Sequence, residues 1–271
     1  MRMLSICLAL VALCAVSVKA DTIDLGTAAA FGALGEAGVT NTGPSVIYGS
    51  VAGSIGTPAV TGFTFSTSPG PGTVVAPGVG YITGVPATVF DDATTAYDVA
   101  AGLASTTLTG DLGGKTLTPG VYSYGSSAQL TGPLTLNFQG LSNQDFVFKI
   151  GSTLTTASAS SVLITNPGTD DSVFWQVGSS ATLGTTTSFY GNIIADASIS
   201  LDNGATITCG SALALTGAVT LDTNTVSTDT CAAPANGGGT GGGTTVPEPG
   251  TLSLLALGFS GIAFLRSKRR R

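Results

Sequence analysis

Short alcohol side chains at recurring positions are the residues of this 271-residue chain whose spacing is regular enough for collective chemistry. Three triplets place a hydroxyl between two apolar residues: Leu134-Thr135-Leu136, Ile199-Ser200-Leu201 and Val219-Thr220-Leu221. Ser161 and Ser188 fall at the same offset from a preceding Gly-Ser pair as Thr135 and Thr220 do. A second column flanks those glycines, with Ser127, Thr153 and Ser180 first and Gln129, Thr155 and Thr182 two residues later. On stacked strands either column forms a row with one hydroxyl per coil, about 4.8 Å apart. A threonine methyl orders the water above it while the hydroxyl joins that water by hydrogen bonding. The first column (Thr135, Ser161, Ser188, Ser200, Thr220) is favoured here because it continues into later copies. In the copy that starts at Gly210 the second column becomes Ala212 and Ala214.

Catalytic chemistry finds little to work with. The chain has no histidine, which removes Ser-His and Cys-His nucleophile pairs and histidine metal sites. Hydrolysis of a sugar chain needs two carboxylates across one bond, and Asp170-Asp171, Asp196 and Asp202 read instead as turn residues. Asp91 and Asp92 read as first-turn acids of a helix. Between residues 21 and 245 the only basic residues are Lys115 and Lys149, against 14 acidic ones. That surface repels phosphate backbones and argues against nucleic-acid binding. No enzyme, cofactor or metal site is expected; Asp222 and Asp229 lack calcium-ligand spacing.

The elements that must position the hydroxyls come in repeats. Val121-Tyr-Ser-Tyr124, Phe146-Val-Phe-Lys-Ile150 and Val173-Phe-Trp-Gln-Val177 each run into a Gly-Ser pair, and the glycines at 125, 151 and 178 are 26 and 27 residues apart. A fixed period of this size signals stacked supersecondary units. Within each copy the side chains alternate with period two, as in a strand. Tyr122, Phe148 and Trp175 align in one inward column, and Ser123, Lys149 and Gln176 form the polar column beside it. The 39 glycines suit tight turns between short strands. Asp21–Val85 reads as a first coil plus an irregular cap. Residues 88–104 read as one helix, with Thr88 as its cap and a stripe of Phe90, Ala93, Ala96, Tyr97, Ala100 and Leu103.

Both ends of the chain carry other signals. Residues 1–20 have Arg2, an apolar run and a small-residue end at Val18-Lys19-Ala20, the pattern of a secretory signal peptide. Once that segment is removed, Cys209 and Cys231 are the remaining cysteines. An isolated pair in an oxidising compartment is most simply a disulfide. Residues 236–245 are a Gly/Thr linker by composition. Residues 246–271 combine Pro247-Glu248-Pro249, an apolar segment at 251–265 and the basic end Arg266-Ser-Lys-Arg-Arg-Arg271. This tail resembles the PEP-CTERM sorting signal of Gram-negative bacteria. The resemblance implies a sorting peptidase acting at Pro247-Glu248-Pro249 and a protein destined for the surface or matrix. Membrane contact is expected only through the C-terminal segment.

The secreted portion, 21–235, is similar to the bacterial and fungal ice-binding (antifreeze) proteins. The matching stretches include Leu25-Gly-Thr-Ala28, Val39-Thr-Asn-Thr-Gly-Pro44, Thr94-Thr-Ala-Tyr97, Leu112-Gly-Gly-Lys-Thr-Leu-Thr-Pro-Gly-Val-Tyr122, Gly151-Ser-Thr-Leu-Thr-Thr-Ala-Ser158 and Val173-Phe-Trp-Gln-Val-Gly-Ser-Ser-Ala-Thr-Leu-Gly184. The resemblance implies an all-β fold, a right-handed parallel β-solenoid (β-helix) of triangular section with one α-helix packed alongside. It also implies coils stacked out of chain order and ice as the partner, bound through one flat face. Thr135, Ser161, Ser188, Ser200 and Thr220, with Thr153, Thr155 and Thr182, are the candidate ice-binding residues. The alternative is a non-catalytic surface or matrix protein that binds polysaccharide or other cells. An inward aromatic column argues against it, since sugar sites expose their aromatics.

Overall fold

A computed structural model describes residues 23–54 and 60–228. The expected signal peptide, Cys231, the expected linker and the sorting tail lie outside the described residues, as does the whole of a second compact unit, Ala235–Arg271. The described chain is a stack of three-strand coils. A 3-10 turn, Gly26–Ala30, leads into β1 (Phe31–Gly35), β2 (Gly38–Asn41) and β3 (Val46–Tyr48). The next coil is β4 (Ser50–Ser54), β5 (Val60–Thr61) and β6 (Thr73–Val75), and β7 (Gly80–Val85) follows before helix α1 (Ala87–Gly102). After the helix come β8 (Thr106–Thr107) and β9 (Thr116–Leu117), then β10 (Gly120–Tyr124), β11 (Ala128–Leu130) and β12 (Pro133–Asn137). Three further coils repeat the plan in β13 (Asp145–Ile150), β14 (Leu154–Thr156) and β15 (Ser161–Thr165), in β16 (Ser172–Val177), β17 (Ala181–Leu183) and β18 (Ser188–Tyr190), and in β19 (Asn192–Ala195), β20 (Ile199–Leu201) and β21 (Thr206–Thr208). The last is β22 (Ala212–Ala214), β23 (Ala218–Leu221) and β24 (Thr225–Ser227).

Every pairing is parallel, and the strands sort into three sheets, here walls A, B and C. Wall A runs β7-β4-β1-β22-β19-β16-β13-β10-β8, wall B β11-β14-β17-β20-β23-β2-β5, and wall C β6-β3-β24-β21-β18-β15-β12-β9. The stack is out of chain order: β1, β2 and β3 pair with β22, β23 and β24, so the first coil docks on the last. Helix α1 then carries the chain back along wall A. Its 16 residues span about 24 Å, the height of roughly five strand spacings.

Two apolar clusters hold this together. One fills the solenoid, where Tyr122, Phe148 and Trp175 lie in register, with Phe148 and Trp175 stacked at 4.0 Å between ring centroids. Trp175 is fully buried and donates its indole N–H to the Tyr190 carbonyl at 3.0 Å. The second cluster lies between wall A and the helix. Val89, Phe90, Ala93, Ala96 and Ala100 of the helix share it with Leu34, Ala52, Val147, Phe174, Ile194 and Leu213. Small residues on the stripe allow close approach of helix to sheet.

The polar column Ser123, Lys149 and Gln176 continues in register into Ile194, Leu213, Leu34 and Ala52, so it belongs to this buried seam. Lys149 Nζ donates to the Leu103 carbonyl at 2.6 Å, placing a cation on the helix C-terminus where the helix dipole favours it. The helix N-terminus departs from expectation. It begins at Ala87 with Pro86 at the cap position and no side-chain cap, so Thr88 is already helical. Proline supplies a preset φ there in place of a capping hydroxyl. Asp92 instead accepts from the Thr27 N–H at 2.8 Å and the Thr27 hydroxyl at 2.6 Å, tying the helix to the 3-10 turn.

Candidate functional site

The side chains that point outward from wall B form one row. Gln129 lies opposite Thr155, Thr155 opposite Thr182, Thr182 opposite Ser200, and Ser200 opposite Thr220. Beyond Thr220 the docked N-terminal coils continue the row with Thr40 and Thr61. Their inward neighbours are buried: Ala128, Leu154, Ala181, Ile199, Val219, Val39 and Val60. Alternation therefore puts an apolar residue beneath the wall for each hydroxyl above it. Neighbouring hydroxyls in the row are about 4.8 Å apart, fixed by the strand ladder.

A second rank runs beside the first, two residues earlier on each strand: Ser127, Thr153, Ser180 and Ser198, ending at Ala218. Thr153 Oγ1 donates to Ser127 Oγ at 2.8 Å, and Thr220 Oγ1 to Ser200 Oγ at 3.0 Å. Such contacts hold side chains in fixed rotamers between adjacent coils. Among the described residues wall B carries no lysine, arginine or glutamate in these ranks. The corners entering the wall from wall A are three residues long in each coil from β10 to β23, so the edge stays straight.

The favoured column does not form a row. Thr135, Ser161 and Ser188 lie on wall C, whereas Ser200 and Thr220 lie on wall B. Thr135 is also out of line with its wall-C companions: it pairs with Thr116 and Leu163, while Ser161 pairs with Pro133 and Ser188. Thr135 is displaced because the corner from wall B to wall C is residues 131–132 in its coil but 157–160 in the next. The split between walls comes from a change in coil length. Phe148 to Trp175 is 27 residues, but Trp175 to Ile193 is 18 and Ile193 to Ala212 is 19. The corner from wall C to wall A shortens from residues 138–144 and 166–171 to Gly191 alone. Counting offsets from Gly210 therefore lands on the wrong wall. Gly210 precedes a wall-A strand and lies against Gly191, whereas Gly125, Gly151 and Gly178 follow wall-A strands and stack on one another.

With the register corrected, the second column is the one that persists. Thr153, Thr155 and Thr182 join Ser200 and Thr220 on one wall, and Ala212 and Ala214 belong to buried wall-A positions instead. Thr40 and Thr61 were not among the candidates. The signal was present in Val39-Thr40, which repeats the Val219-Thr220 pattern, but nothing in chain order says that residue 40 adjoins residue 220.

Wall C has a hydroxyl row of its own, in which Ser161, Ser188, Thr206 and Thr225 are in register before Val46 interrupts it. Leu163 and Tyr48 project from the same wall, 46% and 40% exposed, and the half-buried Tyr190 lies on it in register with Thr208, Ser227 and Tyr48. Bulky side chains of unequal length leave wall C uneven. Wall A is occupied by the helix. Among the described residues, wall B is the one long face that is both regular and uncovered.

The residues behind the wall B to wall C corner carry hydroxyls too, but inward. Thr156 Oγ1 meets Thr187 Oγ1 at 2.8 Å and accepts from Gly184 N–H at 2.9 Å. Ser160 donates to the Leu130 carbonyl, and Asn224 Nδ2 donates to the carbonyls of Asp202 and Ala205. These groups satisfy buried turn amides and carbonyls, which would otherwise be costly.

The titratable groups are few and their shifts are structural. The Thr27 hydroxyl and N–H hold the Asp92 carboxyl below its ordinary value. Partial burial acts against ionisation of Asp111, yet hydrogen bonds from the Thr131 and Gly113 amides and the nearby Lys115 outweigh it, and its pKa is lowered. Burial raises the phenols of Tyr97, Tyr124 and Tyr190. Cys209 is disulfide-bonded; Cys231, its expected partner, lies outside the described residues.

Fold and face together define a class: parallel three-walled β-solenoids with one helix along a wall and a hydroxyl-ranked face left open. Residues 33–227 match the model of the ice-binding-like family, and 245–271 match the PEP-CTERM protein-sorting motif. An ice-binding protein of Nostoc sp. (strain HG1) is 48% identical over 276 residues, covering 100% of this chain and 97% of that one. An ice-binding protein of Flavobacterium frigoris (strain PS1) is 34% identical, covering 76% of each. The crystal structure of an ice-binding protein from the Antarctic ascomycete Antarctomyces psychrotrophicus superposes with a TM-score of 0.65 at 38% identity, over 75% of this chain and 97% of that one. The chain belongs to the ice-binding-like family and carries a PEP-CTERM sorting motif at its C-terminus.

Proposed function

We propose that this protein binds ice through wall B, as a secreted or cell-surface antifreeze or recrystallisation inhibitor. The observation that carries this is the unbroken outward row from Thr155 through Thr182, Ser200, Thr220 and Thr40 to Thr61, in register across the docked coils. Ice is a periodic array of oxygens. A surface matches it by offering small amphipathic groups at a fixed repeat on a backbone that cannot adjust, and parallel ladders supply both. Methyl groups order the water that the hydroxyls then bond. On this reading Thr153, Thr155, Thr182, Ser200 and Thr220 make the contact, and Thr135, Ser161 and Ser188 do not. On this reading the protein acts as a binder rather than an enzyme, in keeping with the ice-binding-like family to which it belongs.

The sorting motif supports export from a Gram-negative cell, with a sorting peptidase acting at Pro247-Glu248-Pro249 and membrane attachment through the C-terminus before cleavage. The test is to purify residues 21–235 and measure the gap between melting and freezing points and the rate of ice recrystallisation. A freezing-point gap with slowed recrystallisation is expected. No effect on ice, with retention on immobilised polysaccharide, would replace this reading with matrix adhesion.

A further inference from the structure

At one end of the stack wall B stops a strand short of its neighbours. Among the described residues, walls A and C each gain a strand beyond the coil of β10, β11 and β12, namely β8 and β9, whereas wall B ends at β11. The chain from β8 to β9, residues 108–115, crosses that gap as a loop. Its Leu112 N–H donates to the Gln129 carbonyl at 2.8 Å, and Asp111 Oδ1 accepts from the Gly113 N–H at 2.5 Å and the Thr131 N–H at 2.9 Å. Between loop and edge lies a cavity of about 490 Å³, well inside the range of about 300–1,000 Å³ found for small-molecule sites.

Two strand columns change residue type where they reach this cavity. Tyr124 lies in register with the aliphatic Ile150 and Val177, and Gln129 with Thr155 and Thr182. Both Tyr124 and Gln129 line the cavity. Tyr124 is 7% exposed, and its hydroxyl is buried with no hydrogen-bond partner among the described residues. Leaving such a group unpaired costs about 1–3 kcal/mol, and the later coils fill the same position without a polar atom. Burial raises that phenol's pKa and the charge of Asp111 raises it further, so the two groups are near each other. Thr107, Thr109 and Ser126 add hydroxyls to the lining, and Leu108 adds carbon.

The lining narrows the ligand. It holds no lysine or arginine, which disfavours an anion. A divalent cation needs a full shell of oxygen ligands, and the single carboxylate is already engaged by two backbone amides. A carboxylate, a side-chain amide and short alcohols together accept from and donate to a ring of neutral hydroxyls. We propose that this end cavity binds a neutral hexose unit, with Asp111 and Gln129 holding its hydroxyls and the Tyr124 phenol gaining the partner it lacks. The site adds to ice binding and does not depend on it, since the row from Thr155 onward lies outside the cavity.

The test is saturation-transfer NMR on the full chain with D-glucose, D-galactose and D-mannose in turn, and with glycerol as the control for any polyol. At least one hexose should show saturable transfer, and glycerol none. Thr109→Trp puts bulk into the lining and should abolish the signal. Tyr124→Phe removes an atom with no protein partner, so it should melt no lower than the parent and keep the freezing-point gap, yet bind the hexose about fivefold more weakly. Thr182→Tyr, on wall B beyond the cavity, should bind sugar as the parent does. No saturable transfer from any hexose, equal transfer from glycerol, or binding undiminished in Thr109→Trp would overturn the site. Loss in Thr109→Trp with Tyr124→Phe unaffected would keep the cavity and strike out the phenol contact. The parent's freezing-point gap judges wall B separately, so either reading can fail without the other.

Discussion

Thr156 and Thr155 are neighbours in sequence with opposite tasks, and the difference shows where side-chain chemistry is spent. Thr155 points to solvent on wall B; Thr156 is buried, accepts from the Gly184 amide and meets Thr187. Thr156→Val keeps the shape and strands that amide, at a cost of about 1–3 kcal/mol. Calorimetry should show a fall of about 2–4 °C per kcal/mol for a domain of this size, with ice activity of the folded variant unchanged. The same scale sets the pH response. Asp92 and Asp111 have folded pKa values lowered from the ordinary 3.8, so they stabilise the fold above that value and the contribution is lost as pH falls through the folded pKa. Tyr97, Tyr124 and Tyr190 are raised above 10.0, so stability is intact below that value and declines at higher pH as the unfolded phenols ionise first. With no histidine in the chain, the midpoint temperature should be flat from about pH 5 to 9. A titration step near pH 6.5 would contradict this. Residue types alone could not separate Thr155 from Thr156: both are threonines in one triplet, and only the parity of the strand tells them apart.

At the scale of elements, the strands before the anchor glycines and the helix were legible because their periods are strong. Tyr122, Phe148 and Trp175 line up inward as the alternation requires, and α1 occupies 87–102 where the stripe predicts 88–104. The coil formed by β19, β20 and β21 was not legible as a repeat. It lacks the Gly-Ser pair, having Asp196-Ala197-Ser198 where Gly178-Ser179-Ser180 stood, and its corner to wall A is short. Turn length at a corner costs little free energy to vary, so it drifts between coils, whereas strand register cannot. That asymmetry shifted the offset count and split the favoured column between two walls. The polar column of Ser123, Lys149 and Gln176 had no visible partner either, because the helix that covers it lies far away in the chain. Lys149→Met should remove the cation from the helix C-terminus and leave the Leu103 carbonyl without its donor, destabilising by about 1–2 kcal/mol. Thermal unfolding would register the loss, and ice activity of the folded protein should not change, since wall A is remote from wall B.

For the whole molecule the decisive feature is closure of the stack. Docking β1, β2 and β3 onto β22, β23 and β24 lengthens wall B by two threonines, Thr40 and Thr61, and converts the last strand into an interior one. The family resemblance implied coils out of chain order, yet which coil sits where follows from register alone. The central claim, that ice is met on wall B and not on wall C, is tested by paired substitutions of equal bulk. Thr182→Tyr and Thr220→Tyr place a ring in the middle of the wall-B row, while Ser161→Tyr and Ser188→Tyr place the same ring on wall C. All four positions are outward, so circular dichroism and melting should match the parent. The freezing-point gap should collapse for both wall-B variants and persist for both wall-C variants. Loss of activity at Ser161 and Ser188, with Thr182 and Thr220 tolerant, would put the ice face on the other wall.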